Sequence, residues 1–144
     1  LKRFNFSNGA SPEADVIQDT AGNLFGTAAG GGALEHGLVF KIDPSGHGST
    51  LHGFNGTNGD LPTGDLVEDG AGNFFGTTGF GGSSGWGVAF KLSSDGNETV
   101  LHNFASADGE EPFAGLVRDS AGNLYGVASS GGPNNSGVVF RISH

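Results

Sequence analysis

The sequence contains no cysteine and no methionine. Disulfide staples and thiolate metal sites are therefore excluded. With Leu rather than Met at position 1, the expectation is a processed product or a segment of a longer protein, any signal peptide lying outside it. Basic residues are scarce: 6 Lys and Arg stand against 15 Asp and Glu, a formal charge of −9. Nucleic acids and anionic membranes both require a basic face, so neither is an expected partner. No apolar run approaches the roughly 18–20 residues of a membrane span. Apolar residues make up only 35% of the chain, against about 45–50% (glycine counted) in ordinary domains. No stretch holds a helical period over a useful length.

Glycine fills the gap, with 29 of 144 residues. Glycine breaks helices but tolerates the left-handed conformations of tight turns, which favours thin, sharply turned sheets. One phrase organises them. It reads Asp19-Thr20-Ala21-Gly22-Asn23-Leu24-Phe25-Gly26, and it returns from Asp69 to Gly76 and from Asp119 to Gly126, 50 residues apart each time. The same spacing aligns Leu1, Leu51 and Leu101; Phe4, Phe54 and Phe104; Pro12, Pro62 and Pro112; Gly37, Gly87 and Gly137; and Phe40, Phe90 and Phe140. The chain is thus a single repeat domain over 1–144, with copies 1–50, 51–100 and 101–144.

Each copy holds four short β-type runs between turn signals. Strand A is expected at Asp15–Asp19, Asp65–Asp69 and Gly115–Asp119. Strand B is expected at Asn23–Thr27, Asn73–Thr77 and Asn123–Val127, and strand C at Gly37–Ile42, Gly87–Leu92 and Gly137–Ile142. Strand D is expected at Thr50–Phe54 and Val100–Phe104. Four strands per repeat of this length is the signature of a propeller blade. The expected fold is all-β, a β-propeller-type repeat of three four-stranded antiparallel blades. The chain opens on a D-type strand, Leu1–Phe6, and its third copy has no D strand. Three blades are too few to close, since rings use roughly four to eight. The blades are therefore expected to close or extend through strand exchange with another chain, as a dimeric six-bladed ring or a filament. The assembly edge would comprise Leu1, Phe4, Phe6, Val138, Phe140 and Ile142.

The wording of the repeat is itself familiar. The run from Pro62 to Thr78, followed by Gly81-Gly82 and by Gly87-Val88-Ala89-Phe90-Lys91-Leu92, resembles the bacterial choice-of-anchor tandem repeat, also called the GloVer repeat, in all three copies. The resemblance implies propeller-like repeats in an exported or cell-surface bacterial protein. It implies no activity and no catalytic residues. The first copy departs at Ala28-Ala29, where the second has Thr78-Gly79, and the third at Val127-Ala128, where the second has Thr77-Thr78.

Residues that carry chemistry elsewhere have plainer readings here. Asp19, Asp69 and Asp119 invite a calcium reading, but each turn has one carboxylate and Ca²⁺ takes six or more oxygens. They are read as turn-forming, together with Gly22, Gly72, Gly122, Asn23, Asn73 and Asn123. The five histidines (36, 47, 52, 102 and 144) show no zinc spacing and are read as surface residues. No nucleophile triad or paired carboxylates recur, so no enzyme, cofactor or metal is expected. The B–C and D–A loops are expected on one face, where Trp86, Phe80, Asn55 and Asp60 form the speculative ligand set, with a glycan as the ligand class. Four N-x-S/T sequons, at Asn5, Asn55, Asn97 and Asn134, are N-glycosylation positions if the source attaches N-glycans. The leading expectation is an exported structural or interaction protein, extracellular or at the cell surface. A lectin-like propeller is the alternative, and a polysaccharide-active enzyme has no residue set behind it.

Overall fold

The computed structural model describes residues 2–143. Strands and turns are its only regular elements, and no helix occurs among the described residues. Sheet 1 is β1 (Ile17–Gln18), β2 (Leu24–Ala28), β3 (Leu38–Ile42) and β4 (Gly48–Gly53). Sheet 2 is β5 (Val67–Glu68), β6 (Phe74–Thr78), β7 (Val88–Leu92) and β8 (Glu98–Asn103). Sheet 3 is β9 (Val117–Arg118), β10 (Leu124–Ala128) and β11 (Val138–Ile142). Within each sheet the strands pair antiparallel in chain order.

The first strand of each sheet is two residues long, not five. The physical reason is that the residues before it bond to a neighbouring sheet. The Thr27 hydroxyl donates to the Gly64 carbonyl at 3.3 Å, and the Thr77 hydroxyl to the Ala114 carbonyl at 2.8 Å. The Asp15 N–H donates to Asp65 Oδ1 at 2.7 Å. These stretches join sheets rather than extend them.

The recurrent Phe and Gly are cross-strand partners: Gly26 faces Phe40, Gly76 faces Phe90 and Gly126 faces Phe140. A Cβ on Gly76 would lie 2.7 Å from the Phe90 ring, so only glycine lets the ring lie flat across the neighbouring strand. The recurrent leucine has its own role. In β4 the register passes from His52 to Thr50, and Leu51 is the extra residue of a bulge; Leu101 does the same in β8. Bulges re-aim side chains, and here the two leucines pack onto the cores between sheets.

The sheets pack face to face in sequence. Phe25 and Val39 of sheet 1 join Phe74, Val88, Phe90 and Leu92 of sheet 2 in one core, with Phe25 and Phe74 ring centroids 4.3 Å apart. Phe75 of sheet 2 joins Leu116 and Leu124 of sheet 3 in another. The three sheets do not close on one another: Val139 on the outer face of sheet 3 is 81% exposed, while its counterparts Val39 and Ala89 are 0%. The expected strand over Leu1–Phe6 is not formed. Residues 2–5 carry no ladder, Phe6 bridges only Gly9, and Leu1 lies outside the described residues. A strand exists through a neighbour's hydrogen bonds, and none of the described strands offers them here.

Candidate functional site

The outer edge of β11 pairs with no strand among the described residues. Two clefts of about 150 Å³ open beside it. One is lined by Leu101, Gly122, Leu124, Ile142 and Ser143; the other by His102, Phe104, Asp108, Phe140, Arg141 and Ile142. In sheet 2 the same places are occupied. His52, the counterpart of His102, meets the Gly96 carbonyl at 3.3 Å and Glu98 at 3.0 Å. The Leu51 carbonyl approaches Gly96 so closely that a Cβ there would stand 2.3 Å from it. Gly96 belongs to the turn before β8, and Glu98 opens that strand. The two clefts of sheet 3 are therefore shaped for the turn and start of a fourth strand.

Of the sequence-predicted edge residues, Val138, Phe140 and Ile142 lie on β11. Phe4 turns inward onto Phe40, ring centroids 5.3 Å apart, as Phe54 does on Phe90 at 5.2 Å. Phe6 stands 55% exposed beyond it.

Every ion pair among the described residues joins a histidine to a carboxylate: His36–Asp60 at 3.1 Å, His52–Glu98 at 3.0 Å and His102–Asp108 at 2.9 Å. His52 departs from the surface reading, its side chain only 14% exposed. The reason lies in the neighbouring sheet, whose Glu98 reaches it, while Asn58 donates to the same carboxylate oxygen at 2.5 Å. In the first copy the same two places hold Lys2 and Gly48, and the lysine stem lies against the glycine. Partial burial lowers the Lys2 pKa. No group of three metal-ligating side chains occurs among the described residues.

The three Asp-x-Ala-Gly-Asn turns share one hydrogen-bond pattern, to which the third adds a Tyr125 hydroxyl donating to Asp119 Oδ2 at 3.0 Å. Asp19 Oδ1 accepts from the Ala21 and Asn23 N–H groups at 2.9 and 2.8 Å, and Oδ2 accepts from Asn23 Nδ2 at 2.7 Å. Asp69 and Asp119 repeat the pattern. Gly22, Gly72 and Gly122 take positive φ of 84°, 84° and 91°. The asparagine serves through its side-chain amide. Its hydrogen bond is the main cause holding the Asp19 and Asp119 carboxyls below the usual range. At Asp69 burial pushes upward, but hydrogen bonds from Asn73 and Ala71 and the nearby Arg118 charge outweigh it. Both oxygens are occupied by the turn itself, which leaves little for a ligand.

The B–C and D–A loops are bridged together, at Ala10–Gly30, Asp60–Phe80 and Glu110–Ser130. Asp60 and Phe80 meet through their backbones at 2.8 and 3.0 Å. Their side chains point to other partners: Asp60 to His36, Phe80 to Phe113 at 5.5 Å between centroids. Asn55 Oδ1 accepts from Thr57 and Asn58, closing its own loop. Trp86 stands 38% exposed. The structure thus does not gather the four into one pocket. The sequon residues Asn5, Asn55, Asn97 and Asn134 are all exposed.

What sequence reasoning missed is a contact between repeats. The recurring proline packs on the recurring glycine of the copy before it: a Cβ on Gly37 would lie 2.5 Å from Pro62, and one on Gly87 2.8 Å from Pro112. The signal was present, since both residues recur in all copies, but a period locates positions and does not pair them.

Compared with known proteins, the sequence matches no curated protein. The model of the Gloeobacter/Verrucomicrobia repeat matches residues 1–144, and the chain belongs to that repeat family.

Proposed function

We propose that this chain is a non-catalytic structural or interaction protein, exported to the cell surface or beyond. In this reading it associates with further copies of itself as a propeller-like ring of two chains or as a filament. The observation that carries the reading is the edge of β11, which pairs with no strand among the described residues. An unpaired strand edge is a template for another strand. The acidic, lysine-poor composition supports an exported, soluble life. The register refines the strand exchange. Leu38 pairs with Gly53 and Val39 with His52 in sheet 1. Two repeats on, Val138 and Val139 stand opposite Arg3 and Lys2 of an incoming copy. Phe4 belongs to the crossing that follows, because it packs on Phe40 of its own chain.

Sedimentation velocity tests this. The expected result is a mass that rises with concentration and falls when a peptide of residues 93–104, the turn and fourth strand of sheet 2, is added in excess. A chain that stays monomeric at the highest concentration reached overturns the reading.

The exposure of Trp86 favours one second reading, a glycan-binding face, because an open indole stacks on sugar rings. A glycan array is expected to show retention that Trp86→Ala abolishes; a blank array removes this reading.

A further inference from the structure

The self-association proposed above leaves open how one chain seats on the next, and the two outer faces of the protein answer it. The same sheet-to-sheet contact is made twice within the chain, so each of its positions has two covered examples and one open one. At the proline position, Pro62 and Pro112 are buried and Pro12 is exposed. At the next apolar position, Leu66 is 4% exposed and Leu116 8%, but Val16 is 51%. These open residues all lie on the side of sheet 1 that faces away from sheet 2. The opposite half of the contact is open on sheet 3. Val139 is 81% exposed where Val39 and Ala89 are 0%, and Val127 is 47% exposed where Thr27 is 1% and Thr77 0%. Val117, on β9 of the same sheet, is 70% exposed.

The two halves also match in chemistry. Gly37 and Gly87 each carry the proline of the following copy, while the close neighbours of Gly137 are carbonyls of its own loop. Asp15 donates its N–H to Asp65 Oδ1 across the first contact; in the third copy Gly115 stands there, with an N–H to give, and the Asp15 carboxylate of another chain is its counterpart. The hydroxyls of Thr27 and Thr77 give way to Val127, so the open face is apolar where the inner ones are stitched. An apolar sheet face of this kind marks an interaction surface.

We propose that the outer face of sheet 3, centred on Val117, Val127 and Val139, docks on the outer face of sheet 1 of a second copy, with Pro12 seated on Gly137 and Val16 covered. The contact is heterologous, head to tail, and continues the packing already made twice inside each chain. It rests on the self-association reading but is separable from it.

The test uses two variants of the full chain, Val139→Glu and Val16→Glu. Both positions are exposed, so each variant is expected to keep the wild-type far-UV circular dichroism and unfolding midpoint. Each carboxylate would be left unpaired in the contact, weakening it by roughly a hundredfold or more. By sedimentation velocity each variant alone is expected to be monomeric where the wild type associates. A mixture is expected to form a 1:1 heterodimer and nothing larger, because Val16→Glu keeps the sheet 3 face and Val139→Glu keeps the sheet 1 face. Association lost in Val139→Glu but kept in Val16→Glu would mean that sheet 3 pairs with itself, overturning the proposal. Association kept in both, or no heterodimer from two monomeric variants, overturns it as well while leaving self-association intact. A monomeric wild type defeats self-association itself.

Discussion

Replacing Phe90 by alanine is expected to lower the stability of the chain by about 3–5 kcal/mol, the usual cost of emptying a buried phenylalanine site. Phe90 is 0% exposed and sits in the larger core, between sheets 1 and 2. Its ring lies over Gly76 on one strand and meets Phe54 edge-on at 5.2 Å, 63° between planes. Neither neighbour can fill the space. Gly76 has no side chain, and Phe54 is held where the chain crosses from β4 into sheet 2. The cavity therefore stays open, which puts the loss at the upper end of the range. Domains are stable by about 5–15 kcal/mol in total, so the variant should unfold at a much lower urea midpoint by circular dichroism. Val139→Ala is the matched control, since a change at an 81% exposed side chain is expected to stay within about 0.5 kcal/mol. A Phe90→Ala loss below about 1.5 kcal/mol would show that the two sheets collapse onto each other and that the core is not fixed by this ring.

Gly87→Ala is expected to be as damaging, by a different cause. Gly87 has φ of +98°, a conformation that costs an L-residue about 1–3 kcal/mol. Its Cβ would also lie 2.3 Å from the Thr78 carbonyl oxygen and 2.8 Å from Pro112 Cδ. The first is backbone inside a sheet and the second is a fixed ring, so neither can swing aside. Overpacking of this kind adds about 1–3 kcal/mol. The measurement that separates the two causes is the pair Gly87→Ala and Gly85→Ala. Gly85 has φ of +81° but nothing near its Cβ, so it carries only the conformational part. Equal losses in the two variants would mean that the close approach of Pro112 to Gly87 contributes nothing.

The repeat, its strands and its hairpins were legible because they are local. Asp19, Gly22 and Asn23 act within one turn, and the alternation of Val88, Phe90 and Leu92 marks one strand. What the sequence does not display is what a residue meets in the next sheet. His52 reads as a surface residue until Glu98 is brought to it from 46 positions on, and the first copy has Gly48 in the place of that glutamate. Pro62 and Gly37 each look like turn punctuation, and their packing appears only when sheet 1 leans on sheet 2. The two-residue first strands were overestimated for the same reason, since the Gly64 and Ala114 carbonyls answer hydroxyls of another sheet. The segment 2–5 has strand-like residues without a strand beside it. The ligand set failed to gather because the side chains of Asp60, Phe80 and Asn55 are already occupied by His36, Phe113 and their own loop.

The way each sheet leans only on the next has a consequence for how the chain folds. The longest hydrogen bonds, Asp15 to Asp65 and Thr63 to Phe113, join residues 50 apart. No backbone loop larger than one repeat has to be closed to make any of them, so lengthening such an array adds no slower step to its folding. Order can start in one sheet and spread outward like a zipper. Sheet 2, gripped from both sides, is then the last to open, and fraying begins at the two ends whose faces are uncovered. A second copy seated on either end would turn that end into a middle, and the junction would borrow the rigidity of the interior.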